Sequence, residues 1–299
     1  MHGCMKNILL PLGLIVGILS TAIIVSIIKG ESTPSNEGKL QVVATFYPLA
    51  YVVERIGGPA VSVTNLTAGG LEPHEFEPTP HDVIAMQDAD LLVTLGEIDG
   101  WADDIAAARR QSNKSVIIVS DSVALDDHDP HIWLDPVRLK SIVSDVQSVL
   151  VAQDPAHAGE FQHNTSVLLA DLDLLDDDYQ SLTSCQRDDI MVAHDAFGYL
   201  AERYDFIAHA VSSISPEAEP SARDLAALAD LAKQLKINTV YFESTASPAL
   251  AATLAREVGA QTGVLWTLES LTNDQLQSGE DYFSLMRQNL QTLHTELCR

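Results

Sequence analysis

Basic residues are scarce: 17 Lys and Arg stand against 42 Asp and Glu, a formal net charge of −25 over 299 residues. The first thirty residues hold no acid and two lysines, Lys6 and Lys29, so the remainder carries 27 surplus negative charges. A body that acidic repels phosphate, which argues against a nucleic-acid binder built on Lys and Arg and against docking on anionic lipid. It favours cations as guests. Cysteine is also sparse, and Cys4, Cys185 and Cys298 lie too far apart for a Cys-based metal cluster. The chain has no glycine-rich phosphate loop and no His-Glu-x-x-His pair, so neither nucleotide hydrolysis nor a metalloprotease motif is encoded. What it has instead is 46% hydrophobic residues spread along its length, enough to bury a core and to argue against a disordered chain.

Residues 8–28 form 21 consecutive positions without a charge. At about 1.5 Å per residue such a run spans the roughly 30 Å hydrocarbon core of a bilayer. It is longer than the ~7–15-residue apolar core of a signal peptide, and no cysteine follows it to take a lipid. The expectation is an uncleaved anchor over residues 1–30 with the acidic body outside; a signal peptide cleaved near Ser20-Thr21-Ala22 is the alternative. Both export the body. In that compartment Cys185 and Cys298, the two thiols beyond the apolar run, are expected to form a disulfide.

Residues 31–39 are polar with one Pro and one Gly, as suits a tether. Short apolar, β-branched runs then alternate with helical patterns. Strands are expected at 42–46, 61–66, 91–95 and 116–119, and again at 190–193, 207–211, 239–242 and 264–266. Between the two series, Phe161, Val167, Leu168, Leu172, Leu175 and Tyr179 recur at helical spacing. The pattern predicts an α/β protein: an N-terminal lobe at 40–154, a long rigid connector helix within 155–184, and a C-terminal lobe at 185–299. The connector helix itself is expected from about 157 to 183, with the Asp176-Asp177-Asp178 run as solvated surface.

Of ten histidines, three fall where a strand has just ended or a stiffened loop presents a side chain. His74 lies in GGLEPHEFEP, where glycines permit an unusual turn and prolines stiffen it. His131 lies between prolines in DPHIWLDP, and His194 directly follows the strand expected at 190–193. Ligands in open α/β sheets bind beyond the carboxyl ends of strands. A metal site usually has a fourth ligand; Glu269, after the last expected strand, is the first choice, with Glu243 or a water as alternatives. Asp135 is expected to accept the second N–H of a metal-bound histidine, with Glu243 in a similar role for the second lobe. Trp133, Phe197 and Tyr199 read as packing around the histidines, Ser221 and Asp224 as a helix cap, and His81 as the start of a helix.

Phe46-Tyr47-Pro48-Leu49, GGLEPHEFEPTP, DPHIWLDP, HDAFGYL, residues 215–221 (SPEAEPS), Phe242-Glu243-Ser244, LESLT and Asp281-Tyr282 occur in this order from about Val42 onward. Together they resemble the metal-binding solute-binding proteins of zinc and manganese ABC transporters. The resemblance implies two α/β lobes joined by one long helix, with the metal in the cleft between them. It implies His74, His131, His194 and, in LESLT, Glu269 as metal ligands. It also implies an ABC permease and its cytoplasmic ATPase as partners, and no catalysis. Manganese members usually carry a carboxylate at the third histidine, so His194 favours zinc, which three imidazoles and a carboxylate also suit; manganese is the runner-up. One departure stands out: the long His-rich loop of many zinc members is reduced here to Asp126-Asp127-His128-Asp129. A zinc hydrolase is the competing class, and a binder of a larger ligand such as a siderophore is a further one. The protein is expected to be monomeric.

Overall fold

The structure, a computed structural model, describes residues 38–96, 99–126, 129–212, 221–242 and 249–298. Two four-stranded parallel sheets carry the fold. The first holds β1 (Leu40–Ala44), β2 (Val61–Asn65), β3 (Leu91–Thr94) and β4 (Ser115–Ile118) in the order β2-β1-β3-β4. The second holds β5 (Asp189–Val192), β6 (Ile207–Ala210), β7 (Thr239–Phe242) and β8 (Gln261–Val264) in the order β6-β5-β7-β8, so both lobes share one topology.

Because side chains alternate across a strand, each buried sheet serves two cores. Val42, Ala44, Leu91, Val93, Ile190, Val192 and Tyr241 face one continuous core that spans both lobes. Val43 and Leu92 face a separate cluster with Met86 and Ala106, from α2 (Pro80–Asp88) and α3 (Asp103–Gln111). Met191 and Val240 do the same with Ala229, Ala232 and Leu254, from α7 (Ala222–Leu235) and α8 (Ala249–Val258). The shared core is filled by α1 (Tyr47–Gly57), α4 (Pro136–Gln153), α5 (Ala158–Tyr179), α6 (Gly198–Tyr204) and α10 (Tyr282–Leu297). Trp133, Tyr179, Tyr204 and Tyr282 are its largest fully buried side chains.

The connector is α5, 22 residues and about 33 Å long, packed on α1 and α4. It buries Phe161, Thr165, Leu168, Leu172, Leu175 and Tyr179, a stripe at 3.6-residue period. Val167 sits one position off that stripe and is exposed. The helix is shorter than its sequence pattern predicts because 3-10 turns, Pro155–His157 and Gln180–Ser184, close both ends. At its far end Cys185 pairs with Cys298, their Cα atoms 4.4 Å apart, tying the tail of α10 to the connector.

The last strand is also displaced. It covers Gln261–Val264, not 264–266, because the ladder stops at Val264 and the side chain of Asn289 takes over. Asn289 Oδ1 accepts from Trp266 N (2.8 Å) and its Nδ2 donates to Trp266 O (2.7 Å). Residues 265–272 therefore form an irregular strap that ends in α9 (Asn273–Gln277). Among the described residues no helix is long and apolar enough to cross a membrane; the apolar stretch 8–28 lies outside them.

Candidate metal centre

Each of the four expected site residues lies beyond the carboxyl end of a strand, and the topology brings all four together. His74 stands on a 3-10 turn, Pro73–Glu75, in the connection from β2; the turn is capped by Glu72, whose Oε1 accepts from His74 N. Gly69 and Gly70 precede it with φ of 82° and 88°, a left-handed region open to glycine. A Cβ on Gly70 would also press on Thr272 at 3.2 Å. His131 opens the turn Ile132–Leu134 ahead of α4. His194 follows β5 after Ala193, whose carbonyl accepts from both N–H and Oγ–H of Ser212.

Glu269 sits on the strap. Trp133 Nε1 donates to Thr267 O (2.7 Å), Tyr47 N donates to Glu269 O (3.4 Å), and Tyr282 Oη donates to Trp133 O (2.7 Å). The residue before it, Leu268, is buried with φ of 58°, a left-handed conformation that costs a non-glycine residue about 1–2 kcal/mol. Such strain persists only where the surroundings hold it, and these three hydrogen bonds do so.

The result is a compact donor set. One ligand atom from each of His74, His131, His194 and Glu269 lies within 4.8 Å of the others. Glu269 Oε1 is 3.0 Å from His131 Nε2, 3.6 Å from His194 Nε2 and 3.8 Å from His74 Nε2. His131, His194 and Glu269 are buried, while the His74 side chain keeps 9% of its exposure. His74 Nε2 and Glu269 Oε2 are buried with no hydrogen-bond partner, an arrangement that is costly unless a cation takes them up. Three imidazoles and a carboxylate at this spacing form a donor set for tetrahedral zinc.

The charges agree. Burial pushes the Glu269 carboxyl up, but the three imidazoles outweigh it and hold the group well below the usual carboxylate range. Burial pulls the His131 imidazole down, but the Asp129 and Glu269 carboxylates outweigh it and hold its pKa above the ordinary histidine value. The His131 acceptor is Asp129, not Asp135: Asp129 Oδ1 lies 2.7 Å from His131 Nδ1 and also accepts from His131 N at 2.9 Å. Asp135 is occupied elsewhere, capping α4 through Val137 N and Arg138 N and pairing with Arg203. The Asp129 signal was present in DPH, where an Asp two residues before a loop residue folds back on its own backbone. Tyr199 does more than pack: its hydroxyl donates to Asp129 O and accepts from Asp126 N, both at 2.8 Å.

His81 lies in the first turn of α2, and Ser221 with Asp224 forms a capping box on α7. His157 and His209 pair with Asp154 and Asp189, away from the four-residue cluster. Glu243 and His128 lie outside the described residues.

The sequence model of the family described as "ZnuA: Zinc-uptake complex component A periplasmic" matches residues 42–296. The zinc-binding lipoprotein AdcA of Streptococcus pneumoniae is 36% identical over 278 residues, 86% of this chain and 56% of that protein. The chain thus spans little more than half the length of the AdcA relatives it matches. The high-affinity zinc uptake system protein ZnuA of Bacillus subtilis is 34% identical over 287 residues, 89% of this chain and 90% of that protein. Among solved structures, the Zn(II)-bound ZnuA-like domain of Streptococcus pneumoniae AdcA superposes with a TM-score of 0.79 at 36% identity, over 88% of this chain and all of that one.

Proposed function

The chain belongs to the zinc-uptake complex component A family, and we propose that it is the extracytoplasmic solute-binding component of an ABC transporter, capturing Zn²⁺ and delivering it to a membrane permease. The observation that carries this is the convergence of His74, His131, His194 and Glu269 beyond the strand ends of both lobes. The relatives' names, a zinc-binding lipoprotein and a zinc uptake system protein, agree with it.

The cargo is held by four ligands, His74 and His131 from the N-terminal lobe (40–154) and His194 and Glu269 from the C-terminal lobe (185–299), with residues 155–184 as the connector between them. Glu269 meets the ion already ionised, because its carboxyl is held low. A proton on His131 competes with the ion, because the Asp129 and Glu269 carboxylates hold that imidazole's pKa above the ordinary value. The Asp129 carboxylate takes the Nδ1–H, leaving Nε2 free for the ion and fixing the ring. A carboxylate in fourth place leaves no position for a nucleophilic water, which separates this reading from a zinc hydrolase. The protein thus binds without turnover, as a monomer, and ATP hydrolysis belongs to its cytoplasmic partner. Residues 1–30 export the body, as an anchor or as a cleaved signal, and the acidic body offers cations a favourable field.

The test is calorimetric titration of metal-free protein with zinc and with manganese. One zinc per chain, bound more tightly than manganese, is the expected outcome. Equal or tighter manganese binding overturns the choice of metal, and no saturable binding of either overturns the function.

A further inference from the structure

Ser270 directly follows Glu269 on the strap and is almost fully buried. Its hydroxyl accepts from Gly70 N–H at 3.1 Å and donates to Thr67 O at 2.9 Å. Both partners lie on the connection from β2 that carries His74, so one side chain pins that loop to the segment bearing Glu269. Nothing in the sequence marks this residue except its place in LESLT.

His74 differs from the other three site residues in ways that make its loop matter. It is the most exposed of the four, and its Nε2 is the farthest from Glu269 Oε1, 3.8 Å against 3.0 and 3.6 Å. His131 is braced by Asp129, and the strap beyond it by Trp133. His194 follows a strand whose end is clamped by Ser212. His74 rests on a stretch whose Gly69 and Gly70 have positive φ, and glycine resists displacement less than other residues. Release of a four-coordinate ion begins with the loss of one ligand, and His74 is the one nearest solvent.

We propose that Ser270 is a positioning residue that latches the His74 loop to the Glu269 strap and so sets how long zinc stays bound. The proposal rests on the reading of the cleft as the zinc site. The latch leaves the four donors unchanged; it raises the cost of swinging His74 away.

The test is the rate at which zinc passes from the loaded full-length protein to an excess of chromogenic chelator. Ser270→Ala is expected to release zinc about tenfold faster, the size of one ordinary hydrogen bond, while the metal-free protein melts close to wild type. Ser270→Thr, which keeps the hydroxyl, is expected to restore slow release. Hydrogen exchange on the wild-type protein checks the latch without any variant: the Gly70 amide should be protected. Wild-type protein that takes up no zinc overturns the site itself. Wild-type binding with unchanged release from Ser270→Ala, equal release from the Ala and Thr variants, or a freely exchanging Gly70 amide overturns the latch alone.

Discussion

His131 Nε2 lies 3.0 Å from Glu269 Oε1, a contact between residues 138 positions apart that joins the two lobes at the candidate metal centre. It sets a buried imidazole against a buried carboxylate, which raises the hold of His131 on a proton. Proton and zinc therefore compete for that imidazole, and that competition has a sign.

Zinc affinity should fall as pH drops. The raised His131 pKa means that the competition starts above the ordinary histidine value of about 6.5, and weakening is expected to steepen as pH falls towards 5. Competitive chelator titrations across that range check it, and pH-independent affinity counts against imidazole ligands.

Stability of the metal-free protein should run the other way. A group whose folded pKa is raised stabilises the fold below its unfolded pKa, and that contribution is lost as pH rises through the folded value. Glu269, whose folded pKa is depressed, contributes above its unfolded value and loses this only in acid. As pH rises from about 6.5 through the higher folded value of His131, the Tm of metal-free protein should fall while zinc binding tightens, so the zinc-induced rise in Tm should grow with pH. Differential scanning calorimetry with and without zinc measures this directly.

Asp129 and Asp135 flank the same histidine turn but should fail differently. Asp129→Ala removes the Nδ1 acceptor of His131 and is expected to weaken zinc binding about 10–100-fold with a smaller change in stability. Asp135→Ala removes the cap of α4 and leaves Arg203 without its buried partner, and should cost about 3 kcal/mol of stability. Denaturation and calorimetry on both variants should show the two effects crossing over.

The Cys185–Cys298 pair closes a loop of 113 residues, so its removal should be felt in stability and not at the site. The chain-entropy relation gives about 4–5 kcal/mol for a loop of this length. Cys298→Ser should therefore melt well below wild type and still bind one zinc, and intact mass under non-reducing conditions should show no free thiol at either position.

Much of this was legible in the sequence, and the reasons are physical. Period-2 and period-3.6 patterns marked the strands and α5 because burial imposes them, and prolines and glycines marked the His74 and His131 loops because those turns demand them. Where the structure differs, a partner distant in sequence often decides. Val264-Leu265-Trp266 looks like a strand, yet Asn289 replaces the ladder there. Asp135 reads as a histidine acceptor, yet it caps α4, which the Asp-Pro step marks locally, and pairs with Arg203, which nothing nearby in the sequence marks. Ser270 and the left-handed Leu268 carry no local signal at all.

The most direct test of the four-residue centre is X-ray absorption at the zinc edge of the loaded protein. The expected spectrum is four-coordinate, with three imidazole nitrogens and one carboxylate oxygen at about 2.0–2.2 Å. Removing any one of His74, His131, His194 or Glu269 should lower that ligand count by the matching donor or abolish binding. A six-coordinate oxygen-rich shell, a sulfur ligand, or a shell unchanged by loss of His194 would contradict the account.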